Sequence, residues 1–144
     1  MEISEMTLAD YEIIKDKLQE EYDDFWTESI LKKELEDVNS EYIVIKRNED
    51  ILGFAGIWKS PVDCQITNIV VKKTCRKQGI GSLLLEKLIE IAKTTSFEMV
   101  GLEVNENNIS AIKLYEKYGF QKVGVRKKYY NNTDNAILMD LKII

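Results

Sequence analysis

The sequence predicts an α/β domain built on one mixed sheet of about seven strands. Three observations lead there. An apolar, strand-like run at residues 66–71 passes through a glycine-containing loop into a helical spacing. Short apolar runs and 3.6-residue spacings alternate along the rest of the chain. No linker, repeat or low-complexity stretch interrupts them. With 144 residues and 44% hydrophobic content the chain suits one core, so residues 1–144 are read as a single domain.

Residues 1–6 read as a first strand, because Ile3 is apolar and Thr7 and Asp10 then supply helix-start chemistry. Leu8, Tyr11, Ile14, Lys15 and Leu18 mark a helical face to about residue 21. Tyr22-Asp23-Asp24-Phe25-Trp26 forms an acidic, aromatic connection. A second helix is expected over 27–37, with Ile30, Leu31, Leu35 and Val38 inward. Strands are expected at 42–46 and 51–58, split by the turn Arg47-Asn48-Glu49-Asp50. Pro61, the only proline, marks a hairpin into a strand at 64–71. A helix over 81–93 follows, its face set by Ile80, Leu84, Leu88 and Ile91. A strand at 99–104, a helix at 110–118 ended by Gly119, and strands at 120–127 and 136–141 complete the chain.

Composition removes whole classes of function. There is no histidine, so neither a Ser-His-Asp nor a Cys-His centre can exist. Cys64 and Cys75 form no C-x-x-C, which argues against zinc and against a disulfide framework; no metal is expected. No apolar run approaches a membrane span and the N-terminus has no signal-peptide profile, so a cytoplasmic protein is expected, away from membranes. A net charge of -5 disfavours direct nucleic-acid binding and favours cationic partners.

The stretch Arg76-Lys77-Gln78-Gly79-Ile80-Gly81-Ser82 stands out. Strand, glycine loop and helix in that order aim the unpaired N–H groups of a helix's first turn, and the positive end of its dipole, into a loop without obstructing side chains. Gly79 and Gly81 allow close approach or positive φ. Lys72, Lys73, Arg76 and Lys77 crowd the same loop of a net acidic chain, so the phosphates of a cofactor are the expected occupant. The spacing is not G-x-x-x-x-G-K-[ST], and G-x-G-x-x-G fails at Leu84; R-x-x-G-x-G remains. The alternative is a tight strand-to-helix turn with solvated cations.

R-x-x-G-x-G resembles the pyrophosphate loop of the GCN5-related N-acetyltransferases (GNAT). Further on, Asn108, Ala111, Leu114, Tyr115, Gly119 and Phe120 match N-x-x-A-x-x-L-Y-x-x-x-G-F at the separation that family shows. Leu102-Glu103-Val104, the Tyr129-Tyr130 pair, Ala136-x-x-Met139 and Phe25-Trp26-Thr27 look like the bacterial ribosomal-protein-alanine N-acetyltransferases. Phe25 departs from the proline usual there. Asp134-Asn135 stand where that group tends to have two acidic residues.

The resemblance implies a mostly antiparallel sheet with helices on both faces and a splay between the fourth and fifth strands. It implies acetyl-CoA as co-substrate, held by Ile69, Val70 and Val71, by Arg76, Lys77, Gln78, Gly79, Ile80, Gly81 and Ser82, and by Asn108. It implies Glu103 as general base, Tyr115 as the acid for the leaving thiolate, and Trp26, Tyr129 and Tyr130 as the acceptor-binding residues. The expected acceptor is a protein N-terminus, the alanine of a small-subunit ribosomal protein. By spacing alone Tyr115 reads as core, and Glu103 is equally a strand-end carboxylate in solvent.

Elementary chemistry agrees with that assignment. An α-amine (pKa about 7.7–8.0) costs about 1 kcal/mol to deprotonate at pH 7, whereas a lysine at about 10.4 costs roughly 4.6 kcal/mol. A lone carboxylate, direct or through water, suits the first. Two other readings stand beside this one. One is acetylation of a small amine, polyamine or lysine side chain, to which the acidic loop at 22–24 would appeal. The other is a non-catalytic coenzyme-A-binding module.

Overall fold

The computed structural model describes residues 1–23, 26–130 and 133–144, with the side chains of residues 128–130 outside the described part. Strand β1 (Glu2–Glu5) leads to Thr7, which caps helix α1 (Leu8–Ile14). Its hydroxyl accepts from Asp10 N at 3.2 Å, and the Asp10 carboxylate accepts from Thr7 N at 2.9 Å. This reciprocal box contributes about 1 kcal/mol. The helix expected to run to about residue 21 breaks earlier. A 3₁₀ turn, Lys15–Lys17, and a π turn, Leu18–Tyr22, replace its second half. The change of winding lets Leu18 and Tyr22 both bury, while the Tyr22 hydroxyl donates to Ile51 O at 2.8 Å.

Helix α2 (Glu28–Glu36) starts on the Thr27 hydroxyl, which accepts from Ile30 N. Leu31 is fully buried, and Ile30 and Leu35 pack beside it. Val38, expected inward, is 95% exposed. The helix stops at Glu36 and Asp37 is extended, so Val38 has left the helical phase.

Strands β2 (Ser40–Arg47), β3 (Asp50–Lys59), β4 (Cys64–Val71), β5 (Met99–Asn105), β6 (Gln121–Tyr130) and β7 (Asp134–Lys142) join β1 in one sheet, ordered β1-β2-β3-β4-β5-β7-β6. All neighbours are antiparallel except β4 and β5. Helices α3 (Ile80–Ala92) and α4 (Ile109–Lys117) contribute Ile80, Leu84, Leu88 and Tyr115 to a cluster with Leu52, Ile66, Val100, Leu102 and Met139. On the other face α1 and α2 bury Tyr11, Ile14 and Leu31 against Val44, Phe54 and Val70. The expected architecture is observed: a mixed, mostly antiparallel seven-stranded sheet, with helices on both faces.

One irregularity organises the middle of that sheet. β3 pairs Gly56 with Asn68 and Ile57 with Ile66, so Thr67 is an extra residue in β4. Side-chain parity flips across it. Cys64 and Ile66 join the α3 cluster before the bulge, Ile69 and Val71 after it, and Val70 turns to the other face. β4 meets β5 only at Gln65↔Gly101 and Ile66↔Leu102. Beyond the bulge the two strands part, which is the expected splay. Tyr42 braces the bend: its ring lies where Gly56 has no Cβ, which would sit 2.4 Å from it, and its hydroxyl accepts from Asn68 Nδ2 at 2.7 Å. Burial pushes that phenol up to about 12, so it stays a neutral brace.

Candidate active site

The splay leaves a strand edge open. Lys72 N donates across to Leu52 O at 2.8 Å, so alternation along an antiparallel strand turns the N–H of Val71 to the opposite side, away from β3. Among the described residues β5 offers nothing to pair with there. The Val71 carbonyl, on the same edge, accepts from Arg76 Nε at 3.3 Å.

The loop that follows is shaped by two left-handed residues, Lys77 at φ 62° and Gly79 at φ 82°. Gly79 stands at the N-cap of α3 with no side-chain cap, so the first-turn amides of Ile80, Gly81 and Ser82 remain available. A Cβ on Gly79 would meet nothing within 4 Å; the space before the helix is open. An anion fits that cradle by backbone geometry alone.

The cations around it are used differently from expectation. Arg76 Nη2 donates to Tyr22 O at 2.7 Å, Lys73 Nζ donates to Gln19 O at 2.9 Å, and Lys72 pairs with Asp50 at 3.1 Å and Glu21 at 3.5 Å. Three of the four tie the loop to the π turn. Sequence spacing could not reveal this, because the contacts span about fifty residues.

The second motif lies beside the start of α3. Asn108 caps α4, its carboxamide oxygen accepting from Ala111 N and from the Ser110 hydroxyl, both at 3.3 Å. At the far end Gly119 takes φ 98°, reversing the chain so that Phe120 packs edge-on against Tyr115 at 5.7 Å. Tyr115 is 8% exposed. A Cβ on Gly81 would lie 3.6 Å from Leu114 and 3.8 Å from Val71. The end of β4, the start of α3 and the middle of α4 therefore meet within van der Waals distance.

Glu103 lies on the other face. Val100, Leu102 and Val104 enter the α3 cluster, so Glu103 and Gly101 point away from it. The Glu103 carboxylate is about a quarter exposed, and it pairs with Arg126 of β6 at 2.7 Å. The acid and base candidates thus lie on opposite faces of the sheet. Sequence reasoning does not single out Arg126, because no local signal reports a pair formed across β7.

Trp26 is 5% exposed and packs edge-on against Phe54 at 5.8 Å. It is a core anchor, and offers little open aromatic face to an acceptor. The Tyr129 and Tyr130 side chains lie outside the described residues, as does Phe25. Cys64 is buried, and burial pushes its thiol up, away from nucleophilic use. Among the described residues no group of His, Cys, Asp and Glu could hold a metal ion, and no helix is long and apolar enough to cross a membrane.

The model of the acetyltransferase (GNAT) family matches residues 3–120. A [ribosomal protein bS18]-alanine N-acetyltransferase from Haemophilus influenzae is 34% identical over 143 residues, 95% of either chain. The crystal structure of the ribosomal-protein-S18-alanine N-acetyltransferase from Escherichia coli superposes with a TM-score of 0.87 at 27% identity, covering 99% of this chain and 93% of that one. A GNAT family acetyltransferase from Elizabethkingia anophelis with acetyl-CoA bound shares the fold, with a TM-score of 0.74 at 21% identity over 98% and 97% of the two chains.

Proposed function

The chain belongs to the acetyltransferase (GNAT) family and is an acetyl-CoA-dependent N-acetyltransferase, and on that premise we propose that its acceptor is a protein N-terminal α-amine, the alanine of a small-subunit ribosomal protein. The carrying observation is the placement of Glu103: one half-buried carboxylate on the face away from the α3 cluster, beside an open strand edge. The Haemophilus relative named for that substrate, aligned over 95% of both chains, supports the choice of acceptor. We read residues 1–144 as one catalytic domain acting in the cytoplasm.

When bound, acetyl-CoA supplies an acetyl thioester activated towards amines. Its diphosphate would rest on the first-turn amides of Ile80, Gly81 and Ser82, with Gln78, Gly79, Lys77 and Arg76 around it, and its arm along the edge of Ile69, Val70 and Val71, with Asn108 nearby. Glu103 takes the proton that the attacking nitrogen loses, directly or through one water. The Val71 N–H donates to the carbonyl oxygen as negative charge develops on it. The Tyr115 hydroxyl gives its proton to the departing sulfur. Attack is direct, with no covalent enzyme species: Cys64 is buried with its thiol pushed up, and Cys75 belongs to the phosphate end of the loop, away from the acetyl group.

Mass spectrometry of Ala-initiated peptides incubated with enzyme and acetyl-CoA tests this. Acetylation at the α-nitrogen is expected, in preference to internal lysines and to spermidine. Product found only on lysine or spermidine refutes the acceptor assignment.

A further inference from the structure

The Glu103–Arg126 pair lies where the acceptor nitrogen must arrive, and this inference rests on the acceptor-site reading above. The Arg126 guanidinium touches Glu103 Oε1 at 2.7 Å and is about half exposed. It reaches Glu103 diagonally across β7. Arg126 pairs in register with Ala136, which pairs with Asn105, while Glu103 pairs with Leu138 one row away. Ala136 is fully buried, and its methyl is short enough for the arginine to pass over. Leu138 leans onto Gly124 of β6, where a Cβ would sit 3.2 Å from its Cδ1, on the side away from β5. Arg126 is also the last regular pair of β6 before the register slips towards Tyr130.

A bare carboxylate would draw in any ammonium, and lysine side chains and polyamines are ammonium ions at neutral pH. Paired with a guanidinium, the same carboxylate is locally neutral, and a second cation meets a like charge. An α-amine loses its proton readily enough to enter neutral; a lysine does not. We propose that Arg126 is a specificity-determining residue, which screens Glu103 by its charge and so selects α-amines over lysine and polyamine acceptors.

The test compares kcat/KM for three acceptors at saturating acetyl-CoA: an Ala-initiated peptide with no lysine, an N-terminally blocked peptide with one lysine, and spermidine. Arg126→Gln should raise the lysine-to-α-amine ratio by roughly tenfold or more, mainly through a lower KM for the cationic acceptors. Arg126→Lys, which keeps the charge, should hold the wild-type ratio. A ratio unchanged within about twofold in Arg126→Gln overturns the proposal. So does an equal change in Arg126→Lys, which would mean that shape and not charge is read. If wild-type enzyme leaves the Ala-initiated peptide unmodified, the acceptor reading itself has failed, and the proposal with it. That outcome is visible before any variant is made.

Discussion

Replacing the two loop glycines one at a time separates backbone conformation from space. Gly79 has φ 82°, and a Cβ added there would meet nothing within 4 Å, so Gly79→Ala meets no clash and bears only the strain of its backbone. An L-residue held left-handed costs about 1–2 kcal/mol, which for 144 residues lowers the melting midpoint by roughly 3–8 °C. If the strain is relieved by rotation, the first-turn amides of Ile80, Gly81 and Ser82 turn with it and acetyl-CoA binding suffers. Gly81 lies inside α3 with ordinary contacts at 3.6 and 3.8 Å to Leu114 and Val71. Its added methyl points at those side chains, and an alanine there should be neutral or stabilising by up to about 1 kcal/mol.

The assay is thermal melting with and without acetyl-CoA. At a ligand concentration of about 100 times the wild-type Kd, binding stabilises by roughly 2.7 kcal/mol; a tenfold weaker site retains about 1.4 kcal/mol. Gly79→Ala should show both the lower midpoint and the halved ligand shift. Gly81→Ala, measured without ligand, should melt at or above wild type. A Gly79→Ala protein with full ligand response would refute the helix-start cradle.

Glu103→Gln should lower kcat by about 10²-fold or more with an unchanged melting point, and Tyr115→Phe by about 10-fold or more, both read in single-turnover acetylation. If both retain full turnover, the chain's catalytic assignment falls. Asp10 is buried against Lys46 at 2.6 Å. Burial alone would raise its pKa, but the hydrogen bonds from Lys46 and Thr7 outweigh that and hold the carboxyl below its ordinary range. A depressed folded value means stabilisation present above the unfolded pKa of about 3.9 and lost as pH falls through the folded value. Asp10→Asn should therefore cost about 3 kcal/mol at pH 7 in urea unfolding, and its deficit should shrink below about pH 4. Leu84→Ala, at a fully buried site between α3 and the sheet, should cost about 2–5 kcal/mol by the same measurement.

The chain's local chemistry was enough for much of this. Thr7 and Asp10 announced a helix start and Gly119 a helix end, because capping and left-handed turns depend on one residue and its near neighbours. The strand, left-handed glycine and helix start were legible for the same reason: they lie within some ten residues. The seven strands and four helices followed from periodicity.

What local chemistry left open was decided between segments far apart in sequence. By spacing alone Glu103 was equally a solvated strand end or a functional carboxylate; register with β7 and β6 brought Arg126 to it. Arg76 carried the signature of a phosphate ligand, yet the fold engages it with Tyr22 and Val71. Trp26 had a substrate residue's position and became core, because Phe54 of β3 passes beneath it. The Thr67 bulge, which opens the sheet, left no mark that a single strand's pattern could show. Side-chain periodicity reports which face a residue takes. Only the packing of distant strands determines what that face meets.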